Sequence, residues 1–301
     1  IASRDGARAQ AAAAELGLAK SYGSYEALLA DPEIEAVYNP LPNHLHVPWT
    51  VKAMEAGKHV LCEKPVAMDA KEAELLVDAR RRTGKLVAEA FMVRFHPQWR
   101  RVREIVASGG IGELRGIATQ FCYNNPDPAN VRNKADIGGG GLYDIGCYAV
   151  LTARFVFGAE PTRVACAIDR DPVFGTDRLA SGIVEFPGAR QLAFTVGTQT
   201  APVQRVAILG SKGRIELPVP FNPLPTAETR IVVDDSRDLY GGGARVETFG
   251  PCDPYTLQGE AFSRAVRGTG PLEWPIEDAV ANMRVIDALF RAGNSGSFER
   301  I

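Results

Sequence analysis

The chain has 301 residues, enough for two domains of ordinary size, each with its own hydrophobic core. Its hydrophobic fraction of 46% and charged fraction of 23% are those of an average globular protein. The formal net charge of −2 gives no electrostatic reason to expect nucleic acid or an anionic membrane as a partner, and no apolar run approaches the ~20 residues that span a bilayer.

The first third of the chain alternates helical and strand-like segments. Helices are predicted at three places: 6–16, 47–56 and 69–83. Short apolar runs, which predict strands, alternate with them at 36–38, 59–62 and 86–88. Short buried strands separated by helices are typical of βαβ units and a parallel sheet. We therefore predict an α/β, Rossmann-type dinucleotide-binding domain over residues 1–95.

The rest of the chain has a different rhythm. Helices are predicted at 97–108, 138–157, 255–267 and 276–292. Strand-like runs cover 114–123 and much of the region from 163 to 249. Strands that follow one another this closely favour antiparallel pairing. Residues 96–301 are therefore predicted to form an α+β domain with an open, mostly antiparallel sheet, which would carry catalysis and oligomerisation.

The turns after the first three predicted strands are candidate binding positions, because ligands bind outside the carboxyl ends of strands in an open parallel sheet. For a cofactor these turns offer Pro40, Leu41, Asn43, His46, Glu63 and Lys64. Lys64 also precedes a proline that restricts its backbone, so its ammonium can be aimed at a substrate hydroxyl. The alternative is an ordinary surface lysine in a loop.

Four consecutive glycines at 138–141 precede a second group of polar residues. Neither register of the run matches the G-x-G-x-x-G dinucleotide motif, because the third glycine would fall on Tyr143 or Asp144. We interpret the run as a helix start whose missing side chains let a ligand or another backbone come close. Asp144 and Tyr148 are four residues apart and should share one helix face.

Tyr148 is the candidate general acid or base. A phenol with a pKa of about 10 is a poor base at neutral pH, but a neighbouring ammonium lowers that pKa. If Lys64 lies beside Tyr148, the two form an acid/base pair, with Asp144 orienting the substrate or the lysine. The alternative is that Tyr148 is a core aromatic residue and Asp144 a favourable charge at a helix start.

Ser3 and Arg4 bear on the choice of cofactor. At the end of the second strand of a dinucleotide fold, an acidic residue binds the ribose 2′-hydroxyl, whereas arginine accommodates a 2′-phosphate. The Ser3 hydroxyl and the Arg4 guanidinium therefore favour NADP, although the acidic Asp5 weakly favours NAD. The alternative is a polar loop without a ligand.

The cysteines and histidines give no metal signal. The five cysteines are odd in number and contain no C-x-x-C pair, and His44 and His46 have no acidic or thiol partner at metal-site spacing. We expect reduced thiols in a cytoplasmic protein and no metal site. The sequence shows no signal peptide, although Ile1 to Arg4 read as a strand end, so a preceding targeting segment stays open.

With these motifs in view, the chain resembles the Gfo/Idh/MocA family of NAD(P)-dependent oxidoreductases over essentially its whole length. The matching segments fall in the family's order: Ser3-Arg4, Pro42-Asn43 with His46, 57–65 (GKHVLCEKP), 89–98 (EAFMVRFHPQ), 139–148, and Glu277-Asp278-Ala279 with Asn282-Met283. Tyr148, where many members have histidine, is similar to the branch of glucose-fructose oxidoreductase, D-xylose dehydrogenase and dimeric dihydrodiol dehydrogenase.

This resemblance implies NADP, with NAD as the alternative, and hydride transfer at a carbinol or carbonyl of a sugar or cyclic diol. It implies that Tyr148 is the acid/base, that Lys64 lowers the pKa of Tyr148 and that Asp144 completes the polar cluster. It also implies that Arg94 lines the substrate pocket, and it makes the Lys64–Pro65 bond a candidate for cis. In the oxidation direction Tyr148 would accept the hydroxyl proton while Lys64 stabilises the alkoxide.

The sequence departs from the family in one place. The first strand and its glycine-rich phosphate loop, which should precede Ser3-Arg4, are missing from this sequence. We expect an omitted segment rather than a natural deletion, because a sheet without its central strand would expose apolar edges and lose the pyrophosphate site. A protein that truly began at Ile1 is expected not to bind NADP and to be poorly soluble.

Two alternative functions stay open beside the leading one. A non-catalytic NAD(P)-binding regulatory protein could have the same fold, although the Lys64, Asp144 and Tyr148 set argues against it. Transfer of hydride between two sugars, with a tightly held cofactor, is the other. An open sheet must also cover its exposed face, so we expect a homodimer or a higher homo-oligomer.

Overall fold

Three parallel strands form the first sheet of the computed structural model, which describes residues 1–301. The elements in chain order are α1 (Gly6–Leu16), α2 (Tyr25–Ala30), β1 (Ala36–Asn39), α3 (His46–Glu55), β2 (His59–Glu63), α4 (Ala70–Thr83) and β3 (Val87–Ala90). The strands pair in the order β1-β2-β3. Residues at the start of the chain contribute an isolated parallel bridge between Ala2 and Tyr22.

Local signals set the limits of the predicted helices in this half. The Asp5 carboxylate accepts hydrogen bonds from two backbone N–H groups at the start of α1, and the Asp69 carboxylate accepts one at the start of α4. Gly17 and Gly84 end these helices in the left-handed conformation. The short helix α2 was not predicted.

The second sheet has nine strands. Its part of the chain contains α5 (Pro97–Ala107), β4 (Leu114–Asn124), α6 (Cys147–Phe157), β5 (Arg163–Arg170), β6 (Asp177–Phe186), β7 (Arg190–Gly197), β8 (Gln199–Gly210), β9 (Arg214–Leu217), β10 (Thr229–Asp234), β11 (Ala244–Phe249), α7 (Pro254–Val266), α8 (Ile276–Ser295) and β12 (Glu299–Arg300). The strand order is β11-β10-β9-β8-β4-β7-β6-β5-β12, and only β4 and β7 are parallel. The predicted fold class, a Rossmann-like sheet followed by a mostly antiparallel sheet, is confirmed.

Helices cover one face of the nine-stranded sheet. Val184, Leu192 and Ile208 point to that face and are fully buried. On the opposite face the alternate residues Ile183 and Leu209 are 41% and 46% exposed. The larger sheet therefore has one open face, as predicted.

Helix α8 joins the two halves of the molecule. It packs against α4 on one side and against α6 and β5 on the other, and its Asp287 carboxylate accepts a hydrogen bond from the Ala70 backbone N–H. The main hydrophobic core, of 55 buried residues, runs through both halves. The division of the chain at residue 95 stays a prediction. None of the helices is long and apolar enough to cross a membrane.

Candidate active site

A cavity of about 1280 Å³ lies where the carboxyl ends of β1 and β2 face the larger sheet. Eight of the predicted site residues line it: Pro40, Leu41, Asn43, His46, Glu63, Lys64, Asp144 and Tyr148. Its other walls come from β4, β8 and the loop before the glycine run. The cavity is where the strand-end rule predicts a ligand.

Lys64 reaches across the cavity from the end of β2 to Asp144. Its Nζ donates to the Asp144 backbone carbonyl at 2.6 Å and to Asp144 Oδ1 at 3.1 Å. Both side chains are largely buried, with 12% and 14% exposure. The peptide bond between Lys64 and Pro65 is cis, as predicted. The two polar groups, 80 residues apart in sequence, therefore form one ion pair.

Asp144 lies in a wide helical turn. The helix that carries Tyr148 opens with a π-helical turn, Leu142–Gly146, before α6 begins at Cys147. Such turns are common at functional sites, because the extra residue disturbs the regular pairing of backbone carbonyls. Here the Asp144 carbonyl accepts a hydrogen bond from the Lys64 ammonium, so both the main chain and the side chain of Asp144 bind Lys64.

The other oxygen of Asp144 has two partners that the sequence analysis did not single out. Tyr123 donates its hydroxyl to Asp144 Oδ2 at 2.6 Å, and Arg132 donates from Nε at 2.9 Å. Tyr123 lies on β4 two residues after the inward-facing Phe121, so strand alternation was the available signal. Arg132 lies in the loop from 124 to 134, and no sequence motif distinguished it.

Two cations share the single negative charge of Asp144. Burial opposes ionisation of Asp144, but Lys64 and Arg132 outweigh it and lower the pKa of the carboxyl. Burial likewise acts to lower the pKa of Lys64, but Asp144 outweighs that effect and raises it well above the ordinary value. Lys64, Arg132 and Asp144 are therefore all charged at neutral pH, so two cations face the one carboxylate of Asp144.

The Tyr148 ring is enclosed by aromatic side chains and only 4% exposed. Phe91, Phe121 and Phe221 surround it with ring centroids 5.1 to 5.8 Å away, and Lys64 Nζ lies 4.9 Å from its centroid. The hydroxyl donates to Met92 Sδ at 3.4 Å. The ammonium therefore contacts the face of the phenol ring, and the hydroxyl is held by a weak acceptor.

Two opposed effects act on the pKa of Tyr148. Lys64 acts to lower that pKa, as predicted, but burial has the larger effect and raises it well above the ordinary value. The physical reason is the aromatic enclosure, which removes water from the phenolate more effectively than one ammonium at the ring face can compensate. Tyr148 is thus a phenol that retains its proton at neutral pH.

His46 and Asn43 form the cavity wall on the side of the three-stranded sheet. The His46 ring is 1% exposed, its Nδ1 lies 2.7 Å from the Pro65 carbonyl, and its Nε2 is buried without a protein partner. Burial lowers the pKa of His46, so the ring is neutral and Nδ1 donates to Pro65. Asn43 donates from Nδ2 to the Gly138 carbonyl at 2.8 Å and so links this wall to the glycine run.

The glycine run allows close backbone packing, as interpreted from the sequence. A Cβ at Gly139 would lie 2.6 Å from the Arg132 carbonyl oxygen, and one at Gly140, where φ is +118°, would lie 1.9 Å from an Asp177 carboxylate oxygen. The Asp177 carboxylate accepts from the Leu142 backbone N–H at 2.5 Å, at the start of the helix. The run therefore positions the loop that carries Arg132 and the helix that carries Tyr148.

Arg94 is a correction to the predicted site. It lies outside the cavity, buried to 5% exposure, where Asp278 on α8 accepts its guanidinium hydrogen bond and Trp274 packs on it at 4.9 Å. Asp278 also pairs with Arg154 of α6 at 2.9 Å. A carboxylate 184 residues away in sequence draws Arg94 into this buried cluster, so its expected role in lining the pocket is wrong.

Ser3 and Arg4 lie at the surface, between the Ala2 bridge and α1, and outside the residues that line the cavity. The Ser3 hydroxyl accepts a hydrogen bond from the Asp5 backbone N–H at 3.2 Å, and the Arg4 side chain is exposed. Their assignment to the cofactor stays a prediction.

Comparison with known proteins decides the family. The model described as "Oxidoreductase family, NAD-binding Rossmann fold" matches residues 1–91, and the one described as "GFO/IDH/MocA C-terminal domain" matches residues 99–216. The chain belongs to the Gfo/Idh/MocA family. It is therefore an NAD(P)-binding oxidoreductase whose relatives are named as dehydrogenases and reductases of sugars and diols.

Individual Gfo/Idh/MocA relatives cover nearly the whole chain. It is 50% identical to an uncharacterized oxidoreductase of Rhizobium meliloti over all 301 residues and 90% of that protein. It is 39% identical to D-xylose 1-dehydrogenase (NADP(+)) 2 of Haloferax volcanii, over 99% of this chain and 90% of that one. Among solved structures, a 3-ketoreductase from Actinomadura kijaniata in complex with NADP and TDP-benzene aligns with a TM-score of 0.89 and 31% identity, over 97% and 88% of the two chains.

Proposed function

We propose that this protein is an NADP-dependent oxidoreductase that transfers hydride at a carbinol or carbonyl carbon of a sugar or cyclic diol. The observation that carries the proposal is the contact of one ammonium, that of Lys64, with both the Asp144 carboxylate and the Tyr148 ring inside the cavity. Family members named for D-xylose and for trans-1,2-dihydrobenzene-1,2-diol support the substrate class, and the NADP of the xylose enzyme supports the cofactor.

The cavity residues fit a dinucleotide. The volume of about 1280 Å³ exceeds the roughly 300–1,000 Å³ of a typical small-molecule pocket, so a nicotinamide and a substrate can lie in it together. The buried Nε2 of His46 lacks a partner, and because Nδ1 holds the proton of the neutral ring, Nε2 can accept a hydrogen bond from a bound group. We assign Pro40, Leu41, Asn43, His46, Glu63 and Lys64 to the cofactor, with Ser3 and Arg4 at a ribose 2′-phosphate. The nicotinamide, when bound, supplies or accepts the hydride.

In the proposed reaction, Lys64 stabilises negative charge on the reacting oxygen and Tyr148 transfers a proton to or from it. An ammonium has three N–H donors, and Asp144 uses two of those on Lys64, so the third is free for a substrate oxygen. A positive charge there stabilises a developing alkoxide. Because Tyr148 retains its proton at neutral pH, it is suited to donate that proton during carbonyl reduction and to recover it, assisted by Lys64, in the oxidation direction. Asp144 fixes the ammonium and faces the substrate.

Turnover tests this proposal directly. We expect the purified protein to oxidise D-xylose or trans-1,2-cyclohexanediol with NADP, followed by absorbance at 340 nm, and to prefer NADP over NAD. Lys64→Met should lower kcat roughly 10²-fold or more, because it removes the donor to the alkoxide. NADP binding without turnover of any sugar, diol or dicarbonyl would instead indicate a regulatory protein.

We also propose a homo-oligomer that buries the open face of the nine-stranded sheet. That face carries Ile183 and Leu209 together with exposed alanines at 118 and 193. Such a surface suits a second copy of the same sheet. Light scattering should give a mass at least twice that of one chain, and Ile183→Lys should reduce it to that of the monomer.

A further inference from the structure

Arg132 is a second cation of the cavity that keeps free hydrogen-bond donors. Its Nε is bonded to Asp144, but its two terminal NH₂ groups have no acceptor in the protein, and its side chain is 45% exposed in the cavity wall. A guanidinium is always charged and presents its donors in a rigid plane. Four N–H donors are therefore available to a ligand.

The backbone of Arg132 is held firmly. Its carbonyl accepts from the Gly140 N–H at 2.9 Å, and the neighbouring Asn133 donates from Nδ2 to the carbonyls of Asn125 and Asp127. Asn133 is buried, and Gly139 allows this loop to approach the glycine run closely. A donor on a preorganised loop binds a ligand without first being ordered.

Arg132 and Lys64 bind opposite oxygens of one carboxylate. Lys64 donates a hydrogen bond to Asp144 Oδ1 and Arg132 donates one to Oδ2, so the Asp144 carboxylate lies between the two cations. In the proposed reaction the substrate oxygen on the reacting carbon is bonded to Lys64. A second oxygen of the same substrate can then accept a hydrogen bond from Arg132.

We propose that Arg132 is a specificity-determining residue that binds an oxygen on the carbon adjacent to the reacting carbon, so that the enzyme selects vicinal diols and α-hydroxy carbonyl compounds over simple alcohols and ketones. This inference rests on the proposed function for the position of the reacting oxygen. The guanidinium of Arg132 favours hydroxyl, keto or carboxylate oxygens at that position and disfavours ammonium groups.

Matched substrate pairs test the inference. The probes are trans-1,2-cyclohexanediol against cyclohexanol and D-glucose against 2-deoxy-D-glucose, each measured for kcat/KM with NADP and for dissociation constant in the NADPH complex by fluorescence titration. The wild type should prefer the vicinal compound roughly 10- to 100-fold, the usual range for a hydrogen bond to a charged group. Arg132→Gln should reduce that preference to within about threefold, while Arg81→Gln, an exposed arginine on α4, should leave it unchanged.

The ratio of the kcat/KM values for the two substrates of a pair distinguishes substrate recognition by Arg132 from a purely structural role. If Arg132 only supported Asp144, its loss would lower kcat/KM for both members equally and keep the ratio, which would overturn the inference. A wild type without preference would overturn it too. Arg132→Lys keeps the charge beside Asp144 but loses the planar pair of donors, so it should retain activity on the simple alcohol and still lose the preference. If the protein binds the probes without turnover, the proposed function fails while the ratio of dissociation constants still decides the role of Arg132.

Discussion

Tyr148→Phe separates catalysis from stability, because it removes only the group that is proposed to react. The ring contacts with Phe91, Phe121 and Phe221 stay the same in the variant. The lost hydrogen bond is a 3.4 Å contact to the sulfur of Met92, a weak acceptor. We therefore expect the free energy of unfolding to change by less than about 1 kcal/mol, which is a shift in Tm of at most about 4 °C.

The effect on turnover should be much larger. Loss of a general acid or base lowers kcat by roughly 10²- to 10⁴-fold, and a 100-fold loss already corresponds to about 2.7 kcal/mol in the activation barrier. KM for the substrate should change little, because Lys64 and Arg132 stay in place. The assay is the initial rate of NADP reduction with the best wild-type substrate, measured beside urea unfolding of the same preparation. Tyr240→Phe, at a tyrosine that is 98% exposed, should leave both quantities unchanged.

Two results would refute this reasoning. A Tyr148→Phe enzyme with kcat within about threefold of wild type would show that the phenol is no acid or base. A loss of kcat accompanied by an equally large loss in the free energy of unfolding would show that the hydroxyl matters for packing, and that the contact with Met92 is stronger than its geometry indicates.

Two further predictions concern the glycine run and its neighbour. Gly139→Ala should destabilise the protein by about 1–3 kcal/mol in urea unfolding and raise KM, because its Cβ would press on the carbonyl of Arg132. The control is Gly259→Ala, where no atom lies within 4 Å of the new Cβ, so this variant should be neutral or stabilising. Equal effects of the two variants would contradict the packing argument. Burial raises the pKa of Asp177 to about 6, above the ordinary 3.8, so its contribution to stability is full below about pH 4 and is lost as the pH rises through 6. Between pH 4 and pH 7, the free energy of unfolding of Asp177→Asn should therefore increase by on the order of 3 kcal/mol relative to that of the wild type. A difference between the two proteins that does not vary with pH would contradict this.

Local signals made much of the fold predictable. Capping residues such as Asp5 and Asp69, and the glycines after their helices, act within one turn of chain, so the limits of α1 and α4 could be read directly. The π turn at Leu142–Gly146 could not, because one extra residue in a helical turn leaves the hydrophobic pattern nearly intact.

The site was predictable where a rule connects sequence to position. The strand-end rule and the family resemblance together predicted that Lys64 would lie near Asp144 and Tyr148. Nothing local indicates that Asp278 on the last long helix binds Arg94, because a side chain's partner is chosen by the tertiary fold. The same holds for the pKa of Tyr148, which is set by rings from three distant segments.

The shared carboxylate of Asp144 has a practical consequence for anyone engineering this enzyme. Its two oxygens bind Lys64, which we propose acts in catalysis, and Arg132, which we propose selects the substrate. A change at Asp144 therefore disturbs both residues, and its kinetic effect cannot be divided between them. Altering the range of accepted compounds should begin at Arg132 and leave Asp144 untouched, because only the arginine can be exchanged without moving the lysine's anchor.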